Sequence, residues 1–242
     1  MQLPTLTNAT LIKRYKRFLA DVVLEDGTEV IAHCPNTGRM TSCWEPGVAV
    51  QISHSDNPKR KLAWTLERID MGQGWIGVHT GRVNHVIAEA IGQNKIASVT
   101  DYRWLRQEVT YPVSEHRSRI DIFLTDRPDD DQHDGAKTDT WVEIKNATLL
   151  VGDQIQFPDA PTERGRKHLN VLADAVSRGQ RGVLLFAVNR PEGTVFTTAD
   201  QIDPAYGQRL REVMTAGVEV IAVRINHHYQ SVTVADAVEI KL

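Results

Sequence analysis

Three residues set the chemistry open to this sequence: Asp121 in Ser118-Arg119-Ile120-Asp121-Ile122, and Glu143 with Lys145 in Val142-Glu143-Ile144-Lys145. Side chains two apart on a strand share a face, so Glu-x-Lys presents a carboxylate and an ammonium together while Ile144 points into the core. If the strand bearing Asp121 pairs beside it, two carboxylates meet and can hold a hard cation such as Mg2+ or Mn2+, with a positive group near the attacking water. Phosphodiester cleavage needs such a set. The spacing alone is permissive, because the same tetrapeptide recurs as Val238-Glu239-Ile240-Lys241. No helix follows that second copy, and it reads as an alternating edge strand.

Position in the order of elements must therefore separate the two copies. Around the first, Val83 to Ile91 has apolar residues at helical spacing and ends at Gly92; strand-like runs follow at about 103 to 111, 118 to 125 and 140 to 146. A helix over 162 to 178 then leads to an apolar strand at Gly182 to Val188, and a helix from Pro204 to Ala216 to another at Val218 to Ile225. The first eighty residues differ: Arg17 to Leu24 and Thr28 to Cys34 flank the hairpin signal Asp26-Gly27, and short runs follow at Val48 to Ser53, Leu62 to Ile69 and Trp75 to Val78. Five short strands without a helix between them fit an OB-like β-barrel. The expected organisation is thus α/β (α+β overall), with an OB-like nucleic-acid-binding domain over residues 1–80 and a mixed sheet flanked by helices over 81–242.

Composition narrows the setting. With 28 Lys+Arg against 31 Asp+Glu the net charge is -3, so no global positive field draws the chain onto DNA, and binding must rest on local basic patches. The start lacks the apolar stretch of a signal peptide, and no apolar run is long enough to span a bilayer, which predicts a cytoplasmic protein without membrane contact. Cys34 and Cys43 are too few and too close for a structural zinc site and read as reduced buried thiols. The run Asp129, Asp130, Asp131, His133 and Asp134 reads as a solvated acidic loop, not a metal cluster.

The element order helix, three strands, helix, strand, with Asp121 on the second strand and Glu143-x-Lys145 on the third, resembles the PD-(D/E)XK nuclease-like superfamily. That resemblance implies a further acidic ligand on the first helix, which makes Glu89 a candidate beside Asp121 and Glu143; Glu108, on the first core strand, is a weaker one. Longer stretches resemble the sugar fermentation stimulation protein A family: KRYKRFLADVVL from Lys13, AHCPNTGRM from Ala32, NPKRK from Asn57, SRIDIF from Ser118, VEIKNAT from Val142 and FPDAPTERGRKHL from Phe157. The resemblance implies an OB-like domain, a nuclease-like domain, and DNA binding with little sequence preference. It also implies the alternative of a non-cleaving, DNA-binding transcription regulator linked to maltose metabolism.

DNA-binding candidates follow from charge. Lys13-Arg14-Tyr15-Lys16-Arg17 places four cations around an aromatic ring, with Arg14 and Lys16 on one face and Arg17 on the other. Lys59-Arg60-Lys61 forms a patch in a predicted loop, and Arg39 follows the Asn36-Thr37-Gly38 turn. Arg119 precedes Asp121, and Arg164, Lys167 and His168 lie three and four apart on the helix after the third strand, where they share a face toward the site. Neither the DNA form, single- or double-stranded, nor a homodimer is decided by these patterns.

Overall fold

A computed structural model gives the fold of residues 1–112, 118–127 and 139–242. The acidic run at Asp129 to Asp134 lies outside these described residues. The N-terminal unit has six strands, β1 (Leu6–Tyr15), β2 (Leu19–Leu24), β3 (Glu29–His33), β4 (Ala49–His54), β5 (Trp64–Asp70) and β6 (Trp75–Gly77), in the order β3-β2-β1-β4-β5-β6. A parallel contact of β3 with β5, Ala32 opposite Trp64 and His33 opposite Thr65, closes the first five into a barrel. The closed ring differs from the expected set at both ends: Leu6–Tyr15 is its first strand, and Trp75–Gly77 hangs on β5 outside the closure. Along β1 only Ala9 and Leu11 are buried, with Thr7, Asn8 and Thr10 between and around them, so the strand carries a weak apolar signal. Cys34 and Cys43 are free thiols inside the barrel core.

The second unit runs α1 (Thr80–Gly92), β7 (Trp104–Thr110), β8 (Arg119–Thr125), β9 (Thr140–Ala147), β10 (Leu149–Val151), β11 (Gln154–Phe157), α2 (Glu163–Ser177), β12 (Arg181–Val188), β13 (Val195–Thr198), α3 (Pro204–Thr215), β14 (Glu219–His227), β15 (Val232–Ala237) and β16 (Glu239–Ile240). Its main sheet has the order β15-β14-β12-β9-β8-β7, with β9, β12 and β14 parallel and the rest antiparallel. Alternation along β12 shows how both faces are covered. Val183, Leu185 and Ala187 pack with the apolar side of α1, whereas Leu184, Phe186 and Val188 pack with α2 and α3. A sheet buried on both faces reads as a continuous apolar run, which is why Gly182 to Val188 is legible as a strand.

A smaller sheet, β10-β11-β13-β16, carries the second Glu-x-Lys copy at its edge. There Glu239 and Lys241 are 61% and 63% exposed and pair with each other at 3.3 Å. The N-caps of α2 and α3 are made by Thr162, whose side chain accepts from Gly165 N, and Asp203, whose side chain accepts from Tyr206 N.

Two buried arginines join the units. Arg68, on β5, donates to the carbonyls of His228 (2.7 Å) and Tyr229 (3.0 Å) and lies over the Trp75 ring. Arg190, after β12, donates to the Thr148 carbonyl (2.7 Å) and across to Ser42 Oγ (3.0 Å), and pairs with Glu192. Removing such a side chain takes a charged donor from the Thr148 carbonyl and Ser42 and leaves the half-buried Glu192 without its partner. Arg190→Ala is expected to lower stability by about 3 kcal/mol, read as an earlier urea midpoint, with only partial recovery in Arg190→Lys because one ammonium cannot reach all the acceptors.

Candidate active site

β8 and β9 pair antiparallel, and their ladder ends with Ile122 opposite Val142. One step further Asp121 and Glu143 stand opposite each other, and there a side chain replaces the main chain as partner. Asp121 Oδ2 accepts the Ile144 N–H at 2.7 Å, and Oδ1 accepts Asn84 Nδ2 of α1 at 2.8 Å. Glu143 is 2% exposed, and its Oε1 contacts both Lys145 Nζ and His168 Nδ1 of α2. Lys145 Nζ lies 3.2 Å from the same His168 nitrogen. The other Glu143 oxygen, Oε2, is buried with no hydrogen-bond partner.

Charge in this space is unbalanced. Burial, then the negative charge of Glu143, pushes the Asp121 carboxyl up to about 6, with the Ile144 N–H and Lys145 opposing. Burial also raises Glu143, but Lys145 and His168 outweigh it and hold that carboxyl below its ordinary value. A buried carboxylate with an unpartnered oxygen, facing a second carboxylate that resists ionisation, fits a divalent cation. Among the described residues no cluster of three His, Cys, Asp or Glu forms a metal cage. An ion here would draw on Asp121, Glu143, a main-chain carbonyl and water, as Mg2+ commonly does.

Asp121, Glu143 and Lys145 line a cleft of about 540 Å³ between the two units. The barrel contributes Arg17, Asn36, Thr37 and Gly38; the second unit contributes the start of α1, the loop through Asp159, and Arg164 and His168 of α2. Gly38 lies where the units touch: a Cβ there would stand 2.4 Å from Asp159 Oδ2 and would displace that carboxylate. The same carboxylate oxygen accepts the Met40 N–H at 2.9 Å.

Several expected residues sit elsewhere. Glu89 does not join the carboxylates: it is 43% exposed and paired with the α-amino group of Met1, because five positions along α1 turn it away from the face that Asn84 presents. Asn84, a polar residue beside the apolar Val83, Val86 and Ile87, is the helix residue that reaches Asp121. Arg14 is not available to DNA as expected. Its guanidinium donates to the carbonyls of Arg17, Asn36 (2.8 Å), Gly38 (2.9 Å) and Arg39 (3.2 Å), and so shapes the cleft-lining loop.

Of the other basic candidates, Arg17 and Arg164 line the cleft, while Lys16, Arg39, Lys59, Arg60 and Lys61 are exposed on the barrel. Arg119 is exposed and 3.7 Å from Glu108, which itself lines the cleft. On α2 Arg164 and His168 face the cleft together, but Lys167 is turned to Glu163 at 2.9 Å. His168 is 7% exposed and bound to Glu143, so it acts inside the site and not on a strand's surface phosphates. Asp159 and Gly38 lie in the family-like stretches, but no pattern gives them a role, and their approach to each other is found only by folding the two units together.

The model for the sugar fermentation stimulation protein RE domain matches residues 81–231, and that for the SfsA N-terminal OB domain matches residues 12–78. The chain belongs to the SfsA family. A sugar fermentation stimulation protein homolog of Geobacter sulfurreducens is 47% identical over 219 residues, covering 90% of this chain and 89% of its own. The homolog of Geotalea uraniireducens is 42% identical with both chains covered in full, at 100% each. Pyrococcus furiosus SfsA, solved in complex with Ca2+, shares the fold with a TM-score of 0.86 at 21% identity, covering 100% of this chain and 98% of that one.

The raised Asp121 value carries a stability signature. Between about pH 6 and pH 4 the folded protein holds a proton that the unfolded chain, with Asp121 near 3.8, has released, so this site gains stability as pH falls through that window. At about pH 7.5, where the full cost is present, Asp121→Asn is expected to be the more stable protein by about 2 to 3 kcal/mol, and at about pH 4 the difference should largely vanish. Urea unfolding of both proteins across this range tests it; parallel pH profiles would refute it.

Proposed function

We propose that this SfsA-family protein is a metal-dependent phosphodiesterase that binds DNA with little sequence preference and cleaves it in the cleft between the two units. The observation that carries the reading is the unpartnered, buried Glu143 Oε2 opposite Asp121, with Lys145 on the same strand. Asp121, Glu143 and the Ile144 carbonyl would hold Mg2+ or Mn2+. When bound, such an ion acts as a Lewis acid toward a phosphoryl oxygen and makes bound water a better nucleophile. The Ca2+ complex of the Pyrococcus furiosus relative supports a hard-cation site in this fold.

The chain's own groups have distinct tasks. Lys145, paired with Glu143 Oε1, orients the attacking water and places positive charge beside the phosphoryl group. His168, whose Nε2 accepts from Arg164, braces Glu143 from α2 through Nδ1. Arg164 and Arg17, on opposite walls, hold the flanking phosphates. Among the described residues no helix is long and apolar enough to cross a membrane, and the two free buried thiols favour action in a reducing compartment such as the cytoplasm.

Incubating the purified protein with single- and double-stranded DNA and Mg2+ or Mn2+ tests the reading. Cleavage is expected, and Lys145→Ala should lower it by at least about 100-fold while DNA affinity changes little. Asp121→Ala should abolish both cleavage and the rise in melting temperature that Mn2+ gives the parent protein. DNA binding without cleavage in any of these proteins would favour the non-cleaving regulator instead.

A further inference from the structure

We propose that the nucleic acid taken by the cleft is a single strand, and that this strand leaves the cleft across one rim of the barrel, stacking on Phe18 and passing Lys16, Arg17, Lys59 and Lys61. The inference rests on the nucleic-acid reading above and adds the form of the substrate and its path.

The path is continuous. Arg17, in the cleft wall, precedes Phe18, whose carbonyl accepts the Cys34 N–H at 2.8 Å, just before the cleft-lining Asn36. Leu19 pairs with His33 on β3, and His33 pairs with Thr65 on β5. Thr65 Oγ1 in turn accepts from Arg60 at 2.6 Å, and next to it the rings of Trp64 and His54 stand 4.7 Å apart. Each step joins neighbours, so the wall of the cleft, Phe18 and the Lys59-Arg60-Lys61 loop form one edge.

That edge has the make-up of a strand-binding surface. Phe18 is 47% exposed although it is a large apolar side chain, and it follows Lys16 and Arg17, both in the left-handed region at φ 49° and 65°. Two such residues in succession, neither glycine, are strained, and the turn leaves about half of Phe18 open to solvent. Five cations lie along the edge, and the loop's carboxylate, Asp56, is paired with His54 at 3.0 Å. An exposed aromatic between cations stacks an unpaired base while the cations track phosphates.

The floor of the cleft argues for one strand. Glu143 is 2% exposed, and the 540 Å³ above it is walled on one side by Asn36 to Gly38 and on the other by α2. That space suits about one or two nucleotides, whereas a base-paired partner strand would have to enter with them.

Fluorescence anisotropy without divalent ions separates binding from cleavage. The probes are a labelled oligothymidylate of about 15 nucleotides and a hairpin duplex of similar length. The single strand is expected to bind more tightly. Phe18→Ala should weaken it by about 10-fold with little effect on the duplex. The Lys59→Ala/Lys61→Ala pair should reduce the slope of log affinity against log salt by about 1.4. These side chains are exposed, so unchanged circular dichroism and melting temperature are expected. A duplex bound at least as tightly as the single strand, or variants bound like the parent, would overturn the path. Single-strand binding lost in the variants, in a protein that never cuts with Mn2+, would sustain the path and sink only the cleavage reading.

Discussion

A single hydrogen bond decides where the candidate site forms. By accepting the Ile144 N–H, the Asp121 carboxylate takes a place that a neighbouring strand's carbonyl would otherwise fill. The bond holds an acidic side chain against the adjacent strand at the point where the β8–β9 ladder stops. Asp121 is thereby fixed, largely buried, beside Glu143, and burial first, with the charge of Glu143 adding to it, raises its carboxyl to about 6. Everything around it can be read as a response to that concentration of negative charge: Asn84 on one side, Lys145 and His168 on the other, and one Glu143 oxygen left unmatched. Unmatched polar atoms in a core are costly, and the Glu143 oxygen is the one that the proposed cation would pair.

Docking of the barrel supplies the second half of the cleft. Arg14 binds the carbonyls of the loop at residues 36–39, and Gly38 lets that loop come close to the Asp159 carboxylate without displacing it. A basic residue that reads from sequence as a phosphate contact is thus a local organiser, and the cationic character of the wall comes from Arg17 instead. The general lesson is that a guanidinium near a run of free carbonyls is as well suited to fixing a loop as to binding an anion.

Much of the second unit was legible because its central strands are buried on both faces and its helices α2 and α3 are followed by the positive-φ glycines Gly179 and Gly217. The two copies of Val-Glu-Ile-Lys show why order of elements was needed: one glutamate is 2% exposed on a central strand and the other 61% exposed on an edge. The barrel was legible from its turns, except for β1, whose polar alternation hid it. Glu89 and Asn84 mark the limit. A one-dimensional pattern gives the helix but not its rotation against the sheet, so an acidic residue was preferred over the amide that faces the carboxylates. Contacts between distant segments, such as Met40 with Asp159, had no local signal at all.

The reciprocal use of arginine between the units has a thermodynamic consequence. Arg68 belongs to the barrel but is satisfied by carbonyls of the β14–β15 connection, and Arg190 belongs to the second unit but reaches Ser42 of the barrel. If either unit melted alone, these hydrogen bonds between the units would be lost to both. Partial unfolding is therefore penalised from both sides, and the two units are coupled into one cooperative transition despite having separate cores.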